Sequence, residues 1–517
     1  MHYIDYFERS ASIWPSNPCL HDGHDLSLTY AETRDLMRRT VNGIRAAGLP
    51  RHASIAILSP NDVYAYVCVL AAERSGNPRL QLNIRDTPPQ IAAVLRHNDA
   101  LLIFYHSSQN ELVAALKPLL PEVKHWIGID KPLGKDPLWA DWLKPYEPTP
   151  SGIKWDGNDI VLRASTGGTT GLPKAVQHRL AITQLIQINV THVCFPHDGP
   201  ATVLSFAPVT HAAGQLCHPA LMTGGLNILM TAPDLKRVPE LIERFKVTLM
   251  FMPPTAIYML LQQPGLKDHD YSSLKYFAYA AAPMSVQKLK DALETFGPVM
   301  AQFYAQTEAG MPLTFLSPRD HLVIGTPDEG RLASCGRAGP FADMGIMDDY
   351  GNLLPDGERG EIVVRGDQVM AGYYKNEKAT AEVSTFGWHH TGDVGYRDAD
   401  GFYYVVDRKK DMIISGGFNI YPTEIEQVVS AHPAVQDCSV VGVPDEKWGE
   451  AVTAVVQLKP GATVTAEEVI AFCRARLGAI QTPKRVEFWP DLPRSPVGKV
   501  LKREIRDKFW QGRDRAV

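Results

Sequence analysis

Residues 165–174 read STGGTTGLPK. Three glycines, four hydroxyls, a proline and a lysine share ten positions. The preceding residues, DIVLRAS (159–165), read as a strand, so the loop leaves a strand end. Backbone N–H groups with little side-chain bulk close readily around phosphate oxygens, hydroxyls add donors, and a lysine adds a point charge. The same composition also makes a plain flexible turn, and these ten residues alone leave both readings open. The loop is not of the Walker type, in which Gly-Lys-Ser/Thr run in series. Here Pro173 precedes Lys174 and Ala175 follows it.

Working outward, ASIAILS (53–59) reads as a strand followed by a helix capped at Asn61 or Asp62 and stopped at Gly76. Short apolar runs then alternate with helical stretches: LLIFY from 101, HWIGI from 125, TVLSFAP from 202, NILM from 227, TLMFMP from 248 and YFAYAAA from 276. Buried strands alternating with helices predict parallel α/β sheets. From about residue 330 the texture changes to β-rich segments around Asp-Gly turns, in GNLLPDGERGEIVVRG and DADGFYYVVDRKKDMII, which predict hairpins. A smaller α+β unit follows, with helix PTEIEQVVSAH, strands CSVVGVP and EAVTAVVQL, and helix TAEEVIAFCRARL opened by a Thr465–Glu468 capping box. The expected fold is therefore α/β. A large multi-subdomain N-terminal domain (1–407) with mixed and parallel sheets precedes a small, mobile α+β C-terminal domain (411–517). The junction, 408–410, falls in the charged run DRKKD.

A chain of 517 residues exceeds the size of a single core, as the domain division requires. Net charge of −5 carries no basic footprint for nucleic acid. The seven cysteines are scattered without CxxC pairs, which argues against a zinc cluster or disulfide framework and for reduced thiols in the cytoplasm. The start, MHYIDYFERSASIW, lacks the apolar core of a signal peptide. The most apolar region, 203–232, is interrupted by His211, Gln215, His218 and several glycines, so no membrane span is expected.

The loop is followed, in order, by YAQTEAG (304–310), HTGDVGYRDADGFYYVVDRKKDMIISGGFNIYP (390–422) and SPVGKVLKREI (495–505). With these four motifs the sequence resembles the AMP-forming, adenylate-forming superfamily of acyl-CoA synthetases, luciferases and peptide-synthetase adenylation domains. The resemblance spans nearly the whole chain, and its tone is closest to benzoate- and chlorobenzoate-type CoA ligases. It implies that a carboxylate and ATP give an acyl-adenylate and pyrophosphate, after which a thiol displaces AMP.

The resemblance assigns the loop residues Thr166, Gly167, Gly168, Thr169, Thr170, Gly171 and Lys174 to the ATP phosphates. Lys499 bridges the carboxylate and α-phosphate, a task suited to a compact charge on a long stem. Glu308 holds Mg²⁺, which takes one or two carboxylates with phosphate oxygens, and Thr307 contacts phosphate. Ala281 and Ala282 offer backbone to the adenine edge, against which Tyr304 lies, although a core tyrosine fits FYAQTE equally well. Asp393 accepts from the ribose hydroxyls, its rival reading being a turn aspartate, and Arg408 reaches the ribose or phosphate. Lys410 is the hinge.

For CoA, the resemblance implies a tunnel lined by Gly416 and Gly417, with Trp448 and Lys484 in contact, while Ile480 and Thr482 stand where some relatives use an aromatic or arginine. His211 gates the acyl pocket, a lone histidine being as readily a wall residue. Thr210-His211-Ala212-Ala213 lacks the aspartate that amino-acid-activating relatives pair with an ammonium. Ala212, Ala213, Gly214, Phe251, Met252, Tyr279, Ala280, Ala305, Gln306, Gly310 and Met311 are expected to line the acyl pocket. The function expected is an AMP-forming acyl-CoA ligase using ATP, Mg²⁺ and CoA on an aromatic, cyclic or medium-chain carboxylic acid. The rivals are an acyl-AMP ligase loading a carrier protein, a luciferase-like oxygenase and a catalytically dead nucleotide-binding regulator. A homodimer is left open.

Overall fold

The computed structural model describes residues 2–165, 173–194, 199–494 and 500–511. Among these, the strands form sheets of thirteen, seven and five members. Every apolar run singled out above forms a strand: Ser54–Leu58, Ala100–Tyr105, His125–Gly128, Thr202–Ser205, Leu226–Leu229, Leu249–Met252 and Tyr276–Tyr279. The helix Val63–Arg74 starts at Asp62, whose side chain accepts from the Ala65 N–H, and is buried almost all round.

In the seven-stranded sheet Arg79–Gln81, Ser54–Leu58, Ala100–Tyr105 and His125–Gly128 run parallel, and Ile160–Ser165 joins them parallel to Arg79–Gln81. The next strand, Ala175–Arg179, returns antiparallel with Ala175 opposite Ser165. The glycine-rich residues 166–172 lie between these two strands in sequence and are outside the described residues.

The thirteen-stranded sheet changes character along its width. Leu226–Leu229, Thr202–Ser205, Leu249–Met252, Tyr276–Tyr279 and Met300–Gln306 are parallel. Beyond them Gly310–Leu316, Gly336–Ala338, Phe402–Arg408, His389–Arg397, Gly360–Arg365 and Asp343–Met347 pair antiparallel. The antiparallel part begins at Gly310–Leu316, ahead of the Asp-Gly turns, and contains both of them. Residues 398–401 close the hairpin between His389–Arg397 and Phe402–Arg408, with Gly401 at φ +83°, a conformation glycine adopts without steric penalty.

Strand alternation divides the core. Phe277, Tyr279, Met250 and Met252 pack in one cluster. Leu249, Ala278, Phe251 and Ala280 pack on the other face, against Ile182, Ile186 and Leu216. The large sheet ends at Arg408, a short 3-10 turn covers Lys409–Asp411, and Ile413–Ser415 opens the five-stranded sheet. The helices Pro422–Ser430 and Ala466–Arg474 cover that sheet over a core that includes Ile413, Ile425, Val440 and Val452. The Thr465–Glu468 capping box forms as the sequence implies. Among the described residues no helix is long and apolar enough to cross a membrane.

Candidate active site

Where the parallel part of the large sheet meets its antiparallel extension, a cleft of about 930 Å³ opens. The end of the strand Met300–Gln306 brings Ala305, Gln306, Thr307 and Glu308 to it, and the strand His389–Arg397 brings His389 to Gly392. Arg408, Lys409 and Lys410 close one side, with Lys174 and Tyr373 also on the wall.

Asp393 sits beside this cleft, 5% exposed. Its Oδ2 accepts from the Tyr304 hydroxyl at 2.7 Å and from Gln306 Nε2 at 3.0 Å. Arg408 Nε lies 3.2 Å from its Oδ1. A buried carboxylate is tolerable only with such partners. Burial and the neighbouring Asp393 charge hold the Tyr304 phenol well above its ordinary range, so it stays a donor. Its ring packs beside a core cluster, so the core and site readings of Tyr304 both hold in part.

Glu308 Oε1 accepts from the Tyr373 hydroxyl at 3.0 Å, and the Lys174 ammonium stands 4.7 Å over the Tyr373 ring. The Thr307 carbonyl accepts from His178 Nε2 at 2.6 Å. Among the described residues no three His, Cys, Asp or Glu side chains gather to hold a metal. A single carboxylate on the cleft wall, Glu308, would suit Mg²⁺, which takes only one or two protein carboxylates.

Sequence reading gave no role to several of the wall groups, among them Tyr373, Glu361, His389 and His390. Glu361 accepts from the Gly392 N–H at 2.9 Å and pairs with His390 Nδ1 at 3.1 Å. Burial pushes His389 down to about 4. GWHH, directly before the TGD motif, was the available signal for the two histidines; Tyr373 and Glu361 carried none.

Several expectations change. Gln306 was expected on the acyl wall, but its amide donates to the Thr391 carbonyl at 2.8 Å and to Asp393, so it serves the carboxylate cluster. Tyr279 and Met252 were expected there too. Both point through the sheet to the opposite core, where the Tyr279 hydroxyl meets Gln302 Oε1 at 3.1 Å and His321 Nε2 at 3.0 Å. Their neighbours Phe251 and Ala280 face the other way, toward Met311.

At the other wall segment, His211 precedes the helix Ala212–Met222, and its Nδ1 lies 3.0 Å from Thr210 Oγ1. Burial, with the Arg79 charge nearby, pushes His211 down to about 4. Ala213 is buried. A Cβ on Gly214 would stand 1.9 Å from the Val209 carbonyl oxygen. Gly310, at φ +77°, approaches the Gln368 carbonyl at the start of the strand Gly310–Leu316. Ala281 occupies φ +74°, a left-handed backbone that destabilises a residue with a Cβ, and is exposed beside the half-buried Ala282.

The C-terminal residues assemble apart from the cleft. The Gly416 N–H donates to the Trp448 carbonyl at 2.8 Å, and a Cβ on Gly416 would stand 2.9 Å from the indole. Gly417 follows at φ +82°. Lys484 Nζ lies 5.8 Å from the Trp448 ring, with Ile480 exposed nearby in sequence and Thr482 buried. Lys499 and the loop residues Thr166 to Gly171 lie outside the described residues.

A sequence profile for the AMP-binding enzyme family matches residues 7–374, and the profile for that family's C-terminal domain matches 424–499. The chain belongs to this family, the adenylate-forming enzymes. It is similar to the medium/long-chain-fatty-acid–CoA ligase FadD8 of Mycobacterium tuberculosis, at 34% identity over 95% of this chain and 88% of that one. It is also similar to a feruloyl-CoA synthase of an Amycolatopsis species, at 35% identity over 93% of this chain and 94% of that one. Among solved structures, the amide bond synthetase McbA from Marinactinospora thermotolerans matches with a TM-score of 0.88 at 30% identity, over 98% of this chain and all of that one.

Proposed function

We propose that the chain is an AMP-forming acyl-CoA ligase acting on an aromatic, cyclic or medium-chain carboxylic acid. The observation that carries this reading is the cluster on Asp393, where Tyr304, Gln306 and Arg408 orient one buried carboxylate beside a cleft holding Glu308. A carboxylate has two oxygens for two ribose hydroxyls, and the three partners fix its plane. ATP then lies with its sugar at Asp393 and its phosphates toward Glu308, Thr307 and Lys174.

In the first half-reaction a carboxylate oxygen of the acid attacks the α-phosphorus, and the bond to the β-phosphate oxygen breaks. Acyl-AMP and pyrophosphate result. The enzyme's work is alignment and charge neutralisation, with little covalent chemistry. Lys499 is assigned to the two reacting anions and the residues Thr166 to Gly171 to the departing pyrophosphate. Glu308 would hold Mg²⁺, which would supply further charge neutralisation. In the second half-reaction the CoA thiolate attacks the acyl carbon, and AMP leaves with the bonding pair on its phosphate oxygen. Gly416, Gly417, Trp448 and Lys484 are assigned to the pantetheine and nucleotide of CoA, and rotation about Lys410 brings them to the acyl-adenylate. Small residues suit a tunnel because backbone approaches closely there.

Acid-dependent exchange of labelled pyrophosphate into ATP tests the first half-reaction. Exchange that needs an acid supports the reading, and Lys499→Ala should remove it while leaving ATP binding in place. Exchange unaffected by Lys499→Ala would remove that residue from the chemistry. ATP binding without any exchange, across aromatic, cyclic and straight-chain acids, would favour a nucleotide-binding regulator.

A further inference from the structure

We infer that the acyl site favours acids bearing a hydroxyl remote from the carboxylate, and that an amide pair, Gln187 with Gln215, reads it. The inference rests on the ligase reading and names its substrate class more narrowly. Gln187 lies on the helix Leu180–Cys194 and is 1% exposed. Gln215 lies in the first turn of the helix Ala212–Met222, directly after the wall residues Ala213 and Gly214, and is 9% exposed. Gln187 Nε2 donates to Gln215 Oε1.

The surroundings make this pair conspicuous. Ile186 and Leu216, its sequence neighbours, belong to an apolar cluster with Phe251, Ala280 and Met311. Ile186 also reaches Gly310, where a Cβ would meet it at 3.4 Å. The two glutamines thus bridge the two expected wall segments of the acyl pocket. Gln187 Oε1 is buried without a hydrogen-bond partner among the described residues. Two primary amides in an apolar setting are destabilising unless something meets their spare donors and acceptors. A wall built only for an alkyl chain has no use for them.

The bond direction sets the roles. Gln215 accepts with its oxygen, which turns its own NH₂ group away from Gln187. Gln215 is the more exposed partner, so it meets the ligand, and Gln187 holds it in place. A substrate hydroxyl that reaches the pair donates its O–H to the unmet Gln187 Oε1 and accepts from the Gln215 NH₂ group. An unsubstituted acid leaves the Gln187 oxygen unmet, which is how a hydrogen-bonding site rejects an analogue.

The test compares matched acids, 4-hydroxycinnamate against cinnamate and 8-hydroxyoctanoate against octanoate, by acid-dependent pyrophosphate release. The wild-type enzyme should favour the hydroxy acid by about tenfold or more in kcat/KM in at least one pair. Gln215→Leu should bring that ratio within about threefold of unity with KM for ATP unchanged, and Gln187→Met should reduce it in the same direction. Equal rates, or preference for the unsubstituted acid in both pairs, would overturn the inference and leave the ligase reading intact. A wild-type preference that survives both substitutions would also overturn it. Absence of pyrophosphate release with all four acids and with the wider acid panel would instead remove the ligase reading. Because the wild-type ratio decides first, a variant that fails to fold does not blunt the test.

Discussion

Asp393 organises the site at the scale of single residues. Asp393→Asn keeps the shape but loses the charge facing Arg408, and it sets a donor against Tyr304 or Gln306. Replacing one charged hydrogen-bond acceptor in a buried cluster costs about 2.7 kcal/mol, or about 100-fold in kcat/KM for ATP. Steady-state pyrophosphate release measures it, and a loss under threefold would detach Asp393 from the nucleotide. The motif made Asp393 legible because HTGD names a residue type at a fixed place. Gln306 was misplaced, since sequence does not say which of two polar neighbours a strand-end amide will choose. His211 and His389 give a pH prediction. Both are held near 4 in the fold and return to about 6.5 when unfolded. The unfolded chain therefore binds more protons between these values, and stability falls as pH drops from about 6.5 to about 4. Each histidine contributes about 1.4 kcal/mol per pH unit within that window. His389→Gln should flatten the pH dependence of the denaturation midpoint, and an unchanged slope would contradict the buried neutral state.

At the scale of elements, strand alternation explains the main error in the expected acyl wall. Phe251 and Met252 are adjacent, as are Tyr279 and Ala280, and each pair splits across the sheet. A fully buried parallel strand is apolar on both faces, so its sequence carries no sign of which face meets the ligand. The strands themselves were legible because short apolar runs bounded by polar turns have few other uses. Two glycines test the local geometry. Gly214→Ala places a Cβ 1.9 Å from the Val209 carbonyl, which requires the start of the helix Ala212–Met222 to shift. It should lower acid turnover and cost roughly 1–3 kcal/mol in a denaturant titration. Gly416→Ala combines φ +58° with a 2.9 Å approach to Trp448. It should slow thioester formation at least about tenfold while leaving pyrophosphate exchange within about twofold, a split that follows from one misplaced wall of the thiol path. Equal loss in both half-reactions would contradict that division of labour.

At the scale of the whole molecule, the two domains meet through a few polar contacts. Arg359 pairs with Glu424 at 2.7 Å, and Gln427 donates to the Met284 carbonyl at 3.2 Å. The helix Lys502–Phe509 is tied to the junction by Lys502, 3.0 Å from part-buried Glu426 and 3.8 Å from buried Asp407. Both carboxylates hold the Lys502 ammonium charged, outweighing its partial desolvation. Lys502→Met leaves buried Asp407 and part-buried Glu426 without their shared cation and should destabilise the chain by about 3 kcal/mol, read from its denaturation midpoint. Domain order was legible because the hairpin-rich region and the α+β unit differ in texture. The contacts between them were not, since each depends on two positions far apart in sequence. The central claim is that one chain makes an acyl-adenylate and passes it to a thiol. It is tested most directly by mass spectrometry of the products formed from ATP, Mg²⁺, CoA and a mixed panel of aromatic, cyclic and straight-chain acids. The account predicts an acyl-CoA with AMP and pyrophosphate in equal amounts. An acyl-AMP that persists unchanged after CoA is added would contradict it and move the second step to a carrier protein or another acceptor.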